Sequence, residues 1–194
     1  MTLRQRLLKV FYPVLLSVTK LLRKNTIVLR NENGALPPHS FYELSVPLSN
    51  GLTQPMAQHK GKKVLVVNTA SNCGYTAQYG ELQQLQERYR DLIVIAFPSN
   101  DFREQEKGPD AEIAAFCSVY NVDFPLASKS SVLKKPQQNP VYQWLTDPEK
   151  NGWNTKQPSW NFSKYLVNED GILTHYFDPS ISPLSAEVED ALKQ

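Results

Sequence analysis

Two cysteines in 194 residues are too few for a disulfide scaffold. They are also too few for a structural zinc site, and His39, His59 and His175 stand apart without ligand spacing. No metal is expected. Glycine is sparse, at eight residues, and no glycine-rich phosphate loop is present. No nucleotide or other bound cofactor is expected, and nothing points to nucleic acid. Long apolar runs are also missing. In the first thirty residues the longest is Val10 to Leu16, far short of the roughly 20 residues that span a bilayer. No internal repeat or low-complexity tract appears. The 41% hydrophobic and 21% charged content suits one globular domain with an appendage.

Acidic residues are absent from residues 1–30, which carry Arg4, Arg6, Lys9, Lys20, Arg23, Lys24 and Arg30. The net charge of +2 therefore hides a basic arm on a mildly acidic body. Residues 3–24 read as an amphipathic helix. Leu3, Leu7, Leu8, Val10, Phe11, Val14, Leu15, Val18, Leu21 and Leu22 share one half of the helical wheel, with Arg4 and Leu16 breaking the pattern. Most of the basic residues take the other half, and Pro13 kinks the helix or starts its second part. The pattern fits a helix lying on an anionic membrane surface. It also fits a helix packed on the protein's own body, and an export signal is the third reading, although no A-x-A-like cleavage site follows. The expected organisation is a basic arm over 1–30, a Pro- and Asn-rich linker over 31–39, and a domain over 40–194.

One stretch organises that domain. Val64 to Val67 is a continuous apolar run, as in a strand covered on both faces. Asn68 to Gly74 is small and polar, as a tight turn requires. Tyr75, Tyr79, Leu82, Leu85 and Tyr89 then recur at helical steps. Cys73 falls at the junction, at or just before a helix N-terminus. Outward N–H groups and the partial positive charge there favour a thiolate. The competing reading is an inert apolar residue ending a core strand.

Leu92 to Phe97 forms a second buried strand. A strand, a helix and a second apolar strand imply parallel pairing. Ligands in such sheets sit beyond the carboxyl ends of the strands. Cys73 and the loop from Pro98 to Gln105 both lie there. Phe41 to Val46 and a short strand after Ser49-Asn50-Gly51 read as an N-terminal hairpin. Helices are expected over 109–120, 139–145 and 183–192, and a short strand over 122–127. Asn161 to Val167 and Ile172 to Phe177 read as a second hairpin.

The segment Val67-Asn68-Thr69-Ala70-Ser71-Asn72-Cys73-Gly74-Tyr75-Thr76 resembles the active-site segment of the glutathione peroxidase family. Ala96 to Phe102, Gln105-Glu106, Phe116-Cys117, Phe124-Pro125 and Trp160 to Val167 continue the resemblance in order. It spans about residues 40–192. It implies an α/β, thioredoxin-like three-layer sandwich, preceded here by the hairpin and the basic helix. It also implies a thiol-dependent peroxidase that acts in the response to oxidative stress. Cys73, Gln105, Trp160 and Asn161 then form a catalytic tetrad, with hydroperoxide as substrate and a thiol such as glutathione or thioredoxin as reductant.

The chemistry fits those residue types. Attack of the thiolate on a hydroperoxide gives a sulfenic acid and an alcohol or water, and thiols return it to the reduced state. Neutral amide and indole donors can stabilise the leaving oxygen without titrating. Trp153-Asn154 is a second Trp-Asn pair, but only Trp160-Asn161 is followed by Phe162 and a strand. Gly is commoner in the family where this chain has Arg103.

Thr76 stands where a thioredoxin-type oxidoreductase carries its second cysteine, so general disulfide exchange is not expected. Ser99 cannot form a disulfide. Cys117 lies on the apolar stripe of a helix and could reach Cys73 only if that helix unwound. Regeneration by an external thiol is therefore expected. A peroxide sensor that passes oxidation to a partner protein by thiol-disulfide exchange is the alternative. A lone reactive thiol suits a reducing cytosol, with membrane association through the arm as the variant.

Overall fold

The computed structural model describes Phe11 and residues 27–194. The amphipathic helix read over residues 3–24 lies outside the described residues, apart from Phe11. Among the described residues no helix is long and apolar enough to cross a membrane.

Strand β4 (Lys63–Thr69) divides the domain. Its side chains alternate between two cores. Leu65 and Val67 enter one, with Tyr79, Leu82, Leu85, Ile113, Cys117 and Val188. Val64 and Val66 enter the other, with Phe41, Met56, Tyr142, Trp144 and Leu145. Each fully buried Val or Leu contributes about 1.5–3 kcal/mol relative to exposure, which is why a central strand reads as unbroken hydrophobicity. Strand β5 (Leu92–Pro98) pairs with it in parallel, from Lys63↔Leu92 to Thr69↔Pro98. Helix α1 (Gln78–Arg88) makes the crossover.

Strands β6 (Lys164–Val167) and β7 (Leu173–Phe177) form the expected hairpin, and β6 runs antiparallel to β4 with Val67 opposite Lys164. The sheet order is β1-β7-β6-β4-β5. Its edge strand β1 (Val28–Arg30) pairs antiparallel with β7. The sequence shows no sign of β1, because three residues are too few for a readable alternation. The end of the basic arm is thus stitched into the sheet.

Helices α1, α2 (Asp110–Ser118) and α5 (Ala186–Leu192) cover the first core. Helix α3 (Pro140–Leu145), the short α4 (Pro148–Asn151) and the N-terminal hairpin lie on the opposite side. The three layers follow from that division.

Two local expectations change. Phe41–Glu43 is a 3-10 turn, because the Ser40 hydroxyl accepts the Tyr42 N–H at 3.2 Å and starts a turn in place of a strand. The hairpin strands β2 (Ser45–Pro47) and β3 (Thr53–Pro55) are three residues each. Each ends at a proline, which cannot donate to a ladder. The strand expected over 122–127 reduces to single bridges, Ala96↔Leu126 and Leu48↔Ala127, again next to a residue without an N–H, Pro125.

Candidate active site

Three loops meet at one edge of the sheet, where β4 and β5 end and the antiparallel β6 begins. Asn68 ties the first to the third. Its side-chain amide donates to the Trp160 carbonyl at 3.0 Å, and its own carbonyl accepts the Phe162 N–H at 2.6 Å. Phe162 is held at φ 69°, a left-handed conformation that costs a bulky residue about 1–3 kcal/mol. Its ring is fully buried against Tyr79, and its carbonyl accepts from Lys164 Nζ at 2.7 Å. Lys164 donates equally to the Ile181 carbonyl at 2.7 Å. These bonds turn the chain sharply after Asn161 and aim Trp160 and Asn161 back across the end of β4.

The second loop leaves β5 at Pro98 and folds over the first. Ser99 N–H donates to the Thr69 carbonyl at 3.0 Å, and Asn72 N–H to the Gln105 carbonyl at 3.1 Å. Arg103 and Glu104 both sit at φ 51°. Two successive left-handed residues reverse the chain and bring Gln105 towards Asn161. The Arg103 guanidinium lies 5.5 Å from the centre of the Trp160 ring, and the Phe102 ring 5.4 Å from it. Trp160 is therefore held against the second loop.

Cys73 sits in the first loop, and here the sequence expectation needs correction. Regular helix starts at Gln78, five residues later, after turns in which Thr76 N–H donates to the Cys73 carbonyl and Gln78 N–H to the Tyr75 carbonyl. Cys73 is only 1% exposed, not an exposed thiol. Burial pushes the Cys73 thiol up from its ordinary range. Hydrogen bonds from the Tyr75 N–H, the Asn161 amide, the Trp160 indole and the Gly74 N–H offset part of that rise, and the thiol stays above its ordinary range. The Tyr75 N–H lies 3.5 Å from Sγ. Four neutral donors, not a helix end, are what support a thiolate here.

Asn161 is fully buried, and its side-chain amide also donates to Gln105 Oε1 at 2.9 Å. The four residues singled out in the sequence thus come together. Trp153 and Asn154 do not join them: the Trp153 indole donates to the Leu173 carbonyl and the Asn154 amide to the Leu145 carbonyl, both at 2.7 Å. That pair braces the loop after α4.

Cys117 is also 1% exposed, and burial pushes its thiol up to about 12. It shares the first core with Cys73. Sequence reasoning passed over two buried charged residues at the site, Lys164 and Glu106. A lysine inside a strand and a Glu directly after Gln105 are the signals that could have flagged them. Among the described residues no cluster of His, Cys, Asp and Glu is suited to a metal.

Residues 41–146 match the family model for glutathione peroxidase. The chain is 40% identical over 158 residues to the glutathione peroxidase homolog BsaA of Halalkalibacterium halodurans, covering 80% of this chain and 98% of that one. It is also 40% identical over 159 residues to the glutathione peroxidase-like peroxiredoxin HYR1 of Saccharomyces cerevisiae, covering 79% and 97%. Among solved structures, T. cruzi GPX1 superposes with a TM-score of 0.60 at 30% identity, over 79% of this chain and 92% of that one. A DsbF homologue from Corynebacterium diphtheriae, with TM-score 0.59 and 11% identity over 86% and 89%, shares the thioredoxin-like fold alone. On the family model and the identity to these relatives, this chain belongs to the glutathione peroxidase family.

Proposed function

We infer that the protein is a thiol peroxidase that reduces hydrogen peroxide and organic hydroperoxides at Cys73. The observation that carries this reading is the convergence of Tyr75 N–H, Gly74 N–H, the Asn161 amide and the Trp160 indole on one buried sulfur. Sγ attacks the terminal peroxide oxygen, the S–O bond forms, and the O–O bond breaks. The leaving oxygen takes a proton and departs as alcohol or water, leaving Cys73 as a sulfenic acid. Gln105, Trp160 and Asn161 supply donors that are not charged and so do not compete for the proton. One external thiol then condenses with the sulfenic acid and expels water. A second releases Cys73 by exchange as the external disulfide forms. The residues named suffice for these steps without a resident cofactor.

A second reading is favoured by one observation: Cys117 and Cys73 lie in the same apolar core. Cys117 would resolve the sulfenic acid internally, after α2 opens, before an external dithiol reduces the bond. The test is peroxide consumption with a panel of monothiol and dithiol donors, wild type beside Cys73→Ser. Turnover by the wild type and none by Cys73→Ser is expected. Undiminished turnover by Cys73→Ser would end the reading.

Residues 1–30 form the third element of the proposal. Ahead of β1, residues 1–26 carry six cationic and no acidic residues and act as a membrane-surface contact that brings the domain to lipid hydroperoxides. Flotation with anionic vesicles, with and without residues 1–26, tests it. Equal binding by both would remove the membrane contact from the proposal.

A further inference from the structure

We propose that Glu106 is a positioning residue for the peroxidatic site: its buried carboxylate grips both donors of Ser71 and so locks the Cys73 turn to the Gln105 loop. The tetrad does not account for this group. Glu106 is 2% exposed. A carboxylate is rarely buried unless several donors meet it. Here Oε2 accepts the Ser71 N–H at 2.7 Å and the Ser71 hydroxyl at 3.1 Å. The Glu106 N–H is in turn fixed by Asn100 Oδ1 at 2.9 Å. Ser71 stands two residues before Cys73, and Glu106 directly follows Gln105. Together with the Asn72-to-Gln105 backbone bond, the grip makes three bonds between the two loops within a few residues of the reacting sulfur.

Without the grip the Asn72 bond remains next to Cys73 and the Ser99-to-Thr69 bond at the base of the loops, while Arg103 and Glu104 hold left-handed conformations that favour release of the loop. Displacement of a catalytic group by about 1 Å can cost a hundredfold in rate. The grip is also sensitive to protonation, because a neutral acid is a weaker acceptor for two donors than a carboxylate. Burial pushes the Glu106 carboxyl up to about 7, against the Ser71 bonds and the charge of Lys129. The other titratable or charged groups that face it are Tyr79 from α1, Cys117 from α2, and Glu104, Lys107 and Glu112 around the adjoining cleft of about 520 Å³. None of them offers a second cation that contacts the carboxylate. The grip is thus tightest above neutrality and slackens below it.

The inference rests on Cys73 and Gln105 being the reacting pair. Its test follows the second-order rate of hydrogen peroxide with reduced protein from pH 5 to 9. In parallel it follows Cys73 alkylation by iodoacetamide, in a Cys117→Ser background. The wild type is expected to show an inflection near pH 7 in both rates, besides the rise from ionisation of Cys73 itself. Glu106→Gln is expected to lose that inflection and about ten- to a hundredfold of the peroxide rate at pH 8. It should keep a thermal midpoint at pH 8 no lower than the wild type's, since a buried neutral amide replaces a buried charge. Ser71→Ala keeps the backbone bond and loses the hydroxyl one, so its inflection should move to higher pH. Should Glu106→Gln not fold, that shift decides the matter alone. An inflection that survives Glu106→Gln, or stays in place in Ser71→Ala, would overturn the proposal. Failure of the wild type to consume peroxide would instead overturn the peroxidase reading, and the alkylation profile would still report on Glu106.

Discussion

The side-chain amide of Asn161 donates to Gln105 Oε1 at 2.9 Å, joining two loops whose residues stand 56 apart in the chain. The same Asn161 amide donates towards the Cys73 sulfur. One fully buried side chain therefore orients a second donor while serving as a donor itself.

Loss of Asn161 should thus cost more than one hydrogen bond. Asn161→Ala is expected to lower kcat/KM for hydrogen peroxide by about 10²–10³-fold, the range seen when a preorganised donor is removed from a reacting centre. Gln105→Ala should cost less. A double-mutant cycle should give a coupling of about 0.5–3 kcal/mol, because the two share a bond. Stopped-flow rates for the four proteins measure it, and additive effects would show that the Asn161–Gln105 bond carries no function.

Arg103 sits at φ 51°, where glycine is at ease, and its guanidinium lies over Trp160. Arg103→Gly relieves about 1–2 kcal/mol of left-handed strain and forfeits about 0.5–1 kcal/mol of cation–π attraction. The folded state should therefore change by less than about 1.5 kcal/mol in urea unfolding. Hydrogen exchange over residues 102–106 should nevertheless quicken, since glycine widens the conformations open to the loop. A loss above about 3 kcal/mol would mean that the ring contact outweighs the strain.

Lys164 is fully buried, and burial lowers its amine to about 7, against the pull of Glu81 and Asp178. Between about 7 and the ordinary 10.5 the folded protein holds fewer protons at this site than the unfolded chain. Its contribution to stability should rise with pH across that window and be lost as pH falls through 7. Lys164→Met should flatten the slope of stability against pH from 7 to 10. It should also slow peroxide reduction by freeing the Phe162 carbonyl and, with it, Trp160. Urea midpoints at a series of pH values check the first effect. An unchanged slope would show that Lys164 stays charged.

Cys117 lies on the buried face of α2 with its thiol pushed up to about 12, so it is unreactive while that helix is intact. With α2 formed, stoichiometric peroxide should leave Cys73 as a sulfenic acid that dimedone or a monothiol captures. Mass spectrometry reads the product. A dominant Cys73–Cys117 disulfide would select the second reading, and faster hydrogen exchange over residues 110–118 should then accompany it.

Much of this was legible in the chain. The unbroken run Val64–Val67 marked a strand covered on both faces, and β4 does divide two cores. Leu92–Phe97 marked its parallel neighbour, and Asn168 to Gly171 the turn of the β6–β7 hairpin. Strand β1 was not legible, since three residues carry no period and the pairing surface lies in β7, some 150 positions away. The 3-10 turn at Phe41 escaped because the hydroxyl of Ser40 outweighs the β preference of Phe and Tyr.

The order of residue types alone determined that one cysteine stands between a buried strand and a helix, and that amide and indole donors recur in later loops. Those are properties of local pattern, which period and turn chemistry carry directly. Only the folded chain decided the state of that sulfur. Its burial, the donors around it, and the two ionisable groups buried under the surrounding loops, Glu106 against Ser71 and Lys164 against Phe162, depend on how the chain packs. Solvent exclusion and hydrogen-bond direction depend on what packs overhead, and sequence position does not encode that.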